Sequence, residues 1–261
     1  MSACYCHFEK IQLLMTGRQL EVCVDSLESA IAAAEGGADR LELCLALSEG
    51  GLTPTPGLLA GVKNRISKHV EVFCMIRPRG GPMVYSDGEA EVILNDAETL
   101  KTAGADGLVF GALDTNGTID KKLCKRFRET AGGLPCTFHR AFDLLQNPIN
   151  GLETIIELGF QRILTSGGKA TALEGCNNLA QLVTAAKGRI VIMAGAGIKS
   201  DNVTNIISLT GVTQCHASAR VCRVFGTEEI GGAKMGNGSD NVLWVASSEE
   251  VQAIKRAMIV S

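Results

Sequence analysis

The sequence predicts a single-domain α/β protein with the (βα)₈ TIM-barrel fold. Two observations support this prediction. From residue 19 to the end of the 261-residue chain, eight short β-rich runs alternate with longer amphipathic stretches. A glycine-led segment also recurs before every second run, at separations of 67, 55 and 52 residues, or about two strand–helix units each time. Repetition by quarters of the chain is typical of a closed parallel barrel.

The predicted strands are short, apolar runs bounded by turn residues. They cover Gln19–Val24, Arg40–Cys44, Val70–Ile76, Gly107–Ala112, Pro135–His139, Arg162–Thr165, Ile190–Ala194 and Gln214–Ala217. Because a helical stretch separates most strands from the next, neighbouring strands are expected to pair in parallel.

The repeated segments begin with a glycine that ends one helix and precedes a strand. These glycines are Gly37, Gly104, Gly159 and Gly211. Glycine suits the left-handed conformation that follows a helix. An open doubly wound sheet is the alternative, but that fold usually has a glycine-rich turn after its first strand. Here Asp25 and Ser26 follow the first strand, so the closed barrel is favoured.

The connecting segments are predicted as amphipathic helices. The clearest cover Ser26–Glu35, Gly88–Ala103, Leu173–Lys187 and Asp201–Leu209, with Asp25, Asp87 and Asp201 as candidate N-caps. Residues 1–18 are expected to form an N-terminal tail, and residues 19–261 the barrel domain. Within that domain, residues 221–248 are glycine-rich without a clear period. They predict a long irregular segment before a final helix near Ser248–Met258.

Composition narrows the classes of partner. The net charge of −3 and the 4% of aromatic residues exclude nucleic acid as the main partner. No apolar run approaches 18 residues, so no membrane span is predicted. The N-terminus lacks the features of a signal peptide, so a cytoplasmic protein is expected. Its ten cysteines are then expected to be thiols. No nucleotide cofactor is predicted.

The first candidate site lies where the first two strands end. Glu21 and Cys23 share one face of the first strand, and Glu42 and Cys44 share one face of the second. Two thiolates with few other ligands suit Cu(I). From these residues alone, small buried cysteines that fill the barrel remain the more economical interpretation. The two carboxylates need a partner such as arginine, or an altered pKa.

The second candidate site is a group of cations after the third and fifth strands. Arg77, Arg79, His139 and Arg140 could form a pocket for a small anion, or could neutralise the two buried glutamates, and both interpretations remain open. His139 with Asp143 is a candidate acid–base group and its orienting partner.

The third candidate site consists of small residues after the late strands. Phosphate often binds at these loops in barrels, although tight turns without a ligand are the alternative. The candidate anion-binding residues here are Ser166, Gly167, Gly195, Gly197 and Ser218.

Several longer motifs resemble the CutC copper-homeostasis family. The matching segments are Leu20–Ser26, Gly36–Cys44 (GGADRLELC), Glu49–Pro54 (EGGLTP), Ile76–Gly81 (IRPRGG), Tyr85–Glu89 (YSDGE), Gly104–Leu113 (GADGLVFGAL), Thr137–Asp143 (TFHRAFD) and Leu164–Gly168 (LTSGG). The resemblance covers residues 19–220. It implies a barrel, a cytosolic and oligomeric protein, and a role in copper handling. It also implies Cys23 and Cys44 as Cu(I) ligands, which favours copper over the barrel-filler interpretation.

The chain departs from the family pattern after Arg220, and its eighth strand ends His216-Ala217-Ser218. The function predicted first is Cu(I) binding in copper homeostasis. The alternative is a barrel lyase, isomerase or hydrolase acting on a small anionic or phosphorylated metabolite. Glu21, Glu42 or His139 would then be its acid–base groups. A scaffold whose oligomer surface is its function is a third possibility.

Overall fold

Eight parallel strands close into a barrel in the computed structural model, which describes residues 17–224 and 241–259. The strands pair in chain order, and the eighth pairs with the first, which confirms the predicted fold. They are β1 Gln19–Val24, β2 Arg40–Leu43, β3 Glu71–Met75, β4 Gly107–Phe110, β5 Cys136–Phe138, β6 Arg162–Thr165, β7 Val191–Gly195 and β8 Gln214–Ala217.

Helices follow the barrel strands and pack around them. They are α1 Leu27–Glu35, α2 Pro56–Lys63, α3 Asp87–Thr102, α4 Lys121–Ala131, α5 Pro148–Glu157, α6 Cys176–Ala186, α7 Val203–Thr210 and α8 Ser248–Ile259. Among the described residues, none of these helices combines the length and the apolar character needed to cross a membrane. The predicted tail lies almost wholly outside the described residues.

The four predicted helix-ending glycines adopt left-handed backbone conformations. Gly37, Gly104, Gly159 and Gly211 have φ of +92°, +96°, +79° and +73°. Side chains other than glycine rarely adopt such angles. The internal repeat therefore has a physical cause, because each copy needs a residue without a Cβ atom at the same turn.

The strands alternate between two environments. Leu20, Val22 and Val24 of β1 belong to the main apolar core, together with the buried faces of the surrounding helices. Glu21 and Cys23 lie between them in sequence and face the barrel interior, as the period of two predicts. On the other side of the interior, a second buried cluster contains Cys44, Phe73, Met75 and Val109. The interior is thus polar on the β1–β2–β8 side and apolar on the β3–β4 side.

Each helix cap lies one residue from the predicted N-cap, later at α1 and α7 and earlier at α3. Ser26, rather than Asp25, caps α1 by accepting a hydrogen bond from the backbone N–H of Ser29. At α3 the cap is Ser86, which forms a reciprocal capping box with Glu89. This pair satisfies two backbone donors at once, which an aspartate at position 87 could not do. Asn202 occupies the corresponding position of α7.

The segment predicted to be irregular contains two strands at its ends. β9 Arg220–Val224 and β10 Val242–Ala246 pair antiparallel, while the stretch between them lies outside the described residues. The pair packs on α1, where the Ala246 N–H donates to the Ser29 hydroxyl at 3.1 Å. The alternation of Val, Cys, Leu and Trp is typical of strands, but the many neighbouring glycines obscured it in the sequence.

Candidate metal-binding site

Three potential metal ligands meet where β1, β2 and β8 lie side by side. One donor atom each from Cys23, Glu42 and His216 lies within 4.8 Å of the other two. Strand register explains this convergence, because Cys23 is paired with Glu42 across β1–β2, and Glu21 with His216 across β1–β8. The three residues lie at the carboxyl ends of their strands, where barrel proteins place their functional sites.

The imidazole of His216 is oriented by a carboxylate beneath it. His216 Nδ1 lies 2.7 Å from Glu21 Oε1, and Nε2 lies 3.7 Å from Glu42 Oε2. An ionised carboxylate can only accept, so Nδ1 donates to Glu21 and Nε2 is directed toward the group of ligands. Metal-binding histidines are commonly held in this way by a carboxylate on their second nitrogen.

Glu21 is itself part of a fully buried ion pair. Arg40 Nε donates to Glu21 Oε2 at 2.5 Å, and Arg40 Nη2 donates to Gln214 Oε1 at 2.9 Å. Burial by itself would raise the pKa of Glu21, but the Arg40 charge and the His216 contact outweigh it and lower that pKa to about 2. Glu21 is therefore a permanent anion at neutral pH.

The other two groups have strongly shifted protonation equilibria. Burial raises the pKa of Glu42 to about 7. The negative charge of Glu21 adds to this increase, while the charge of the His216 ring opposes it. Burial also disfavours a charged His216, but Cys23 and Glu42 outweigh that effect and raise its pKa well above the usual value. The site therefore holds protons that a bound metal ion would displace.

Cys44 lies beside this group without belonging to it. Its thiol donates to Glu42 Oε2 at 3.6 Å, and it is fully buried in the apolar interior cluster. A Cβ atom at Gly51 would come within 3.1 Å of the Cys44 sulfur, so the loop backbone closes over it. Burial, together with the nearby Glu42 and Cys23 charges, raises the pKa of Cys44 well above that of an ordinary thiol. The two predicted copper ligands thus occupy different environments.

A cavity of about 430 Å³ opens onto the ligand group. Cys23 and His216 contribute to its lining, and three cationic side chains, Arg140, Lys199 and Arg220, lie around it. Two of the small residues predicted to bind an anion, Gly197 and Ser218, also line this cavity. Gly195 lies deeper at the end of β7, where a Cβ atom would collide with Leu164.

The two arginines of the predicted anion pocket bind the protein's own loops instead. Arg77 donates to the backbone carbonyls of Glu49 and Gly51 at 2.7 and 3.0 Å. Arg79 pairs with Glu89 at 2.5 Å and donates to nearby backbone carbonyls. Neither arginine neutralises Glu21 or Glu42. That role belongs to Arg40, which the sequence interpretation missed even though Arg40 shares a strand face with Glu42.

His139 and Asp143 are not partners, in contrast to the predicted acid–base pair. His139 Nδ1 accepts a hydrogen bond from the Ala141 N–H at 3.2 Å and so caps a short 3₁₀ turn. Asp143 instead binds the loop after β6, where Ser166 N–H and Gly168 N–H donate to its Oδ1 at 3.0 and 3.1 Å. His139 and Asp143 therefore bind different backbone segments, and the Asp143 side chain is only 7% exposed.

The predicted phosphate loop after β6 already contains an anion. The Ser166 N–H donates to Asp143 Oδ2 at 3.2 Å, and Arg140 Nε donates to the same oxygen at 2.8 Å. Gly167 N–H donates to the hydroxyl of Thr165. The donors that an external phosphate would need at Ser166 and Gly167 are therefore used within the protein.

His139 gives a prediction for the dependence of stability on pH. Burial and the nearby Arg77 charge lower the pKa of His139 to about 4, below the value of about 6.5 for an unfolded chain. The unfolded state then binds the proton first, so stability from this residue falls as pH drops from about 6.5 to about 4, by up to about 3 kcal/mol. Urea unfolding of the parent and of His139→Asn, which keeps an acceptor for Ala141, measures this. A variant with the parent's full loss of stability over that range would contradict it.

The fold and the site together define a (βα)₈-barrel protein with a buried thiol–carboxylate–imidazole group at the carboxyl end of the barrel. Comparison with known proteins then identifies the family. The CutC family model matches residues 18–221, and the chain belongs to that family. This confirms the resemblance seen in the sequence motifs over nearly the same residues.

The relatives include proteins named for copper homeostasis and others named only for the CutC family. The human copper homeostasis protein cutC homolog is 52% identical over 207 residues, which is 79% of this chain and 75% of the relative. The CutC family protein of Glaesserella parasuis is 46% identical over 237 residues, 90% of this chain and 97% of the relative. A Streptococcus agalactiae structure with the CutC copper-homeostasis name aligns at a TM-score of 0.74 with 32% identity, over 77% of this chain and 98% of the other.

Proposed function

We propose that this protein acts in copper homeostasis by binding Cu(I) at the carboxyl end of the barrel. The observation that carries the proposal is the convergence of Cys23 and His216 beside Glu42, within 4.8 Å of one another and open to a cavity. The names of the human and mouse relatives, which mention copper homeostasis, support the choice of copper.

The chemistry of the donors favours Cu(I) over hard cations. A cysteine thiolate is a soft ligand, and imidazole is also suited to copper. We assign Cys23 Sγ and His216 Nε2 as the primary ligands, since Nδ1 of the same ring already donates to Glu21. Cys44 lies outside the ligand group, but its thiol contacts Glu42 Oε2 at 3.6 Å, so the titration below also tests it as a ligand.

The predicted enzyme function receives less support. Its anion clamp, Arg77 and Arg79, binds loop carbonyls and Glu89, and its orienting residue Asp143 binds the loop after β6. The feature that still favours an enzyme is the raised pKa of Glu42, and a metal-binding site explains this shift equally well. We therefore place copper binding first.

We also propose a cytosolic location and a homo-oligomeric assembly, as the resemblance to the family implies. A reducing compartment is consistent with eight cysteines that remain free thiols within residues 17–224 and 241–259. The mass of the purified protein by light scattering would exceed the 27.5 kDa of one chain.

An anaerobic titration with Cu(I) against a competing chromogenic chelator tests the copper proposal. The parent is expected to bind one tight Cu(I) per chain, and Cys23→Ser to bind at least about 100-fold more weakly, since the site loses the soft donor that lines the cavity. Cys44→Ser reports whether the second thiol is a ligand. Cys215→Ser is the matched control, because Cys215 adjoins His216 in sequence but lies in the outer apolar core.

The comparison separates copper at this site from copper elsewhere. If Cys23→Ser and Cys215→Ser bind Cu(I) as tightly as the parent, the ligand group does not hold the metal and the proposal is wrong. If only Cys23→Ser is weakened, Cys23 with His216 forms the site and Cys44 is part of the packed interior.

A further inference from the structure

The cavity above the ligand group is positively charged. Arg140, Lys199 and Arg220 line it, against a single acidic residue, Glu250. Arg140 is already paired with Asp143. The side chains of Lys199 and Arg220, by contrast, have no hydrogen bond or ion pair with the part of the chain that the structure describes. Two cationic side chains therefore remain available to a ligand in the cavity.

The ligand group itself offers few soft donors to Cu(I). Of its three donor atoms, one is a sulfur, one an imidazole nitrogen and one a carboxylate oxygen. Carboxylate oxygens suit hard cations, so Glu42 is a poor ligand for Cu(I). Copper bound by Cys23 and His216 would thus have two good ligands and an open side. Cys23 and His216 both line the cavity, so that open side faces the space among the cations.

We propose that the cavity binds a small thiol that carries carboxylate groups, and that Cu(I) enters as a complex with this thiol. The inference rests on the proposed Cu(I) site. The sulfur of the small thiol would be the third ligand, while its carboxylates pair with Lys199 and Arg220 as charge-assisted hydrogen bonds. A cavity of about 430 Å³ is within the range that holds a small-molecule ligand.

The transfer of copper is a balanced exchange of ligands. Cu(I) arrives bound to two small thiolates, and the Cys23 sulfur forms a new Cu–S bond as one Cu–S bond to a small thiolate breaks. The proton of the Cys23 thiol goes to the departing thiolate, which leaves as a neutral thiol group. The second small thiolate remains on the metal, and His216 Nε2 would add as a further ligand after its proton leaves to solvent. Copper stays in the +1 state, so neither an oxidant nor a reductant is required.

The experiment compares two thiols that differ in charge. Cu(I) is supplied anaerobically with mercaptosuccinate, which has two carboxylates, or with 2-mercaptoethanol, which has none, and native mass spectrometry records the complexes. The expected species with mercaptosuccinate is one protein chain with one copper and one thiol, formed at about 10-fold lower thiol concentration than with 2-mercaptoethanol. High salt is expected to reduce this preference, because it screens the paired charges.

Charge-neutralising variants locate the effect. Lys199→Gln/Arg220→Gln is expected to lose the preference for mercaptosuccinate while still binding Cu(I). The matched control is Lys125→Gln/Arg126→Gln, which removes the same charges from the exposed face of α4 and is expected to behave as the parent does.

The outcomes separate this inference from the copper proposal. If Cu(I) binds at Cys23 without a retained thiol, or with equal preference for the two thiols, the copper proposal stands and the carboxylated-thiol inference is overturned. If the protein takes no Cu(I) from either thiol or from the chelator, both fail. Loss of the preference in the Lys199/Arg220 variant alone supports the inference.

Discussion

Replacing Arg40 by methionine is expected to lower the free energy of unfolding by about 3–5 kcal/mol, the cost of breaking a buried ion pair on one side. Arg40 is 1% exposed and Glu21 is fully buried, and their contact is 2.5 Å. Methionine has a similar shape and fills the space of the side chain. It leaves the Glu21 carboxylate, whose pKa the Arg40 charge helps lower to about 2, as an uncompensated charge in the barrel interior.

A double-mutant cycle separates the charge from the packing. Arg40→Met/Glu21→Gln removes both charges, so it is expected to be more stable than Arg40→Met alone, since buried pairs are often replaceable by neutral groups. Urea unfolding gives the free energies. Arg189→Met is the matched control, because Arg189 forms a similar contact with Glu153 at 2.6 Å while both side chains are over 40% exposed. That variant is expected to lose less than about 1 kcal/mol.

The cycle also tests the orientation of the metal ligand. If Arg40→Met is no more destabilised than Arg189→Met, Glu21 has become protonated without cost, and the carboxylate that orients His216 is not an obligatory anion. If the full loss is seen and the double variant restores part of it, Glu21 is held ionised by Arg40.

The fold could be predicted from the sequence because its signals are local. Gly37 and its three repeat equivalents need a left-handed turn, and each turn ends one helix and begins one strand. The period of two along β1 placed Glu21 and Cys23 on the interior face and Val22 on the exterior face, as observed. Neither inference requires knowledge of which strands are neighbours.

The ligand group could be predicted only in part because it depends on barrel closure. Cys23 and Glu42 were singled out, but His216 was not counted as a ligand, since it is 193 residues after Cys23 in the chain. Pairing of β8 with β1 brings it to Glu21. Cys44 is on the predicted face, yet the loop at Gly51 covers it. Strand register is a long-range feature, and the path of the loop over Cys44 is not part of the alternating pattern of the strand.

The partners of the predicted cation residues could not be predicted for a different reason. Residue type alone does not distinguish an arginine that binds a ligand from one that binds backbone carbonyls. Arg77 satisfies carbonyls of the loop after β2, and Arg79 satisfies carbonyls of its own loop after β3. The same logic applies to Asp143, which satisfies backbone donors after β6. In both cases glycines suggest a ligand pocket in the sequence. In the structure they permit a tight loop whose backbone groups bind a side chain of the protein itself.

Replacing Asp143 by alanine is therefore expected to have the second large effect, a loss of at least about 3 kcal/mol in the free energy of unfolding. Asp143 accepts from the Thr165 hydroxyl at 2.5 Å, from Ser166 N–H at 3.0 Å and from Gly168 N–H at 3.1 Å. Hydrogen bonds to a charged group contribute about 1.5–3 kcal/mol each, and they are not fully additive. Urea unfolding of Asp143→Ala against the parent measures the loss.

The same variant is expected to acquire an anion site that the parent lacks. Without the carboxylate, the N–H groups of Ser166 and Gly168 point into an empty space beside Arg140, which suits phosphate. Phosphate at 100 times its dissociation constant would then restore about 2.7 kcal/mol to Asp143→Ala. The parent is expected to show no such gain, because Asp143 occupies the donors.

Ser166→Ala is the matched control for this effect. It removes the Ser166 hydroxyl, which contacts Asp143 and the Lys169 carbonyl. The backbone N–H groups of Ser166 and Gly168 remain bonded to the Asp143 carboxylate. A loss near 1 kcal/mol without a phosphate response is expected. Equal stabilisation of all three proteins by phosphate would mean that the anion binds elsewhere, and that Asp143 does not take the place of a ligand in this loop. A response confined to Asp143→Ala would show that the Asp143 carboxylate occupies the backbone donors of a loop that could otherwise bind phosphate.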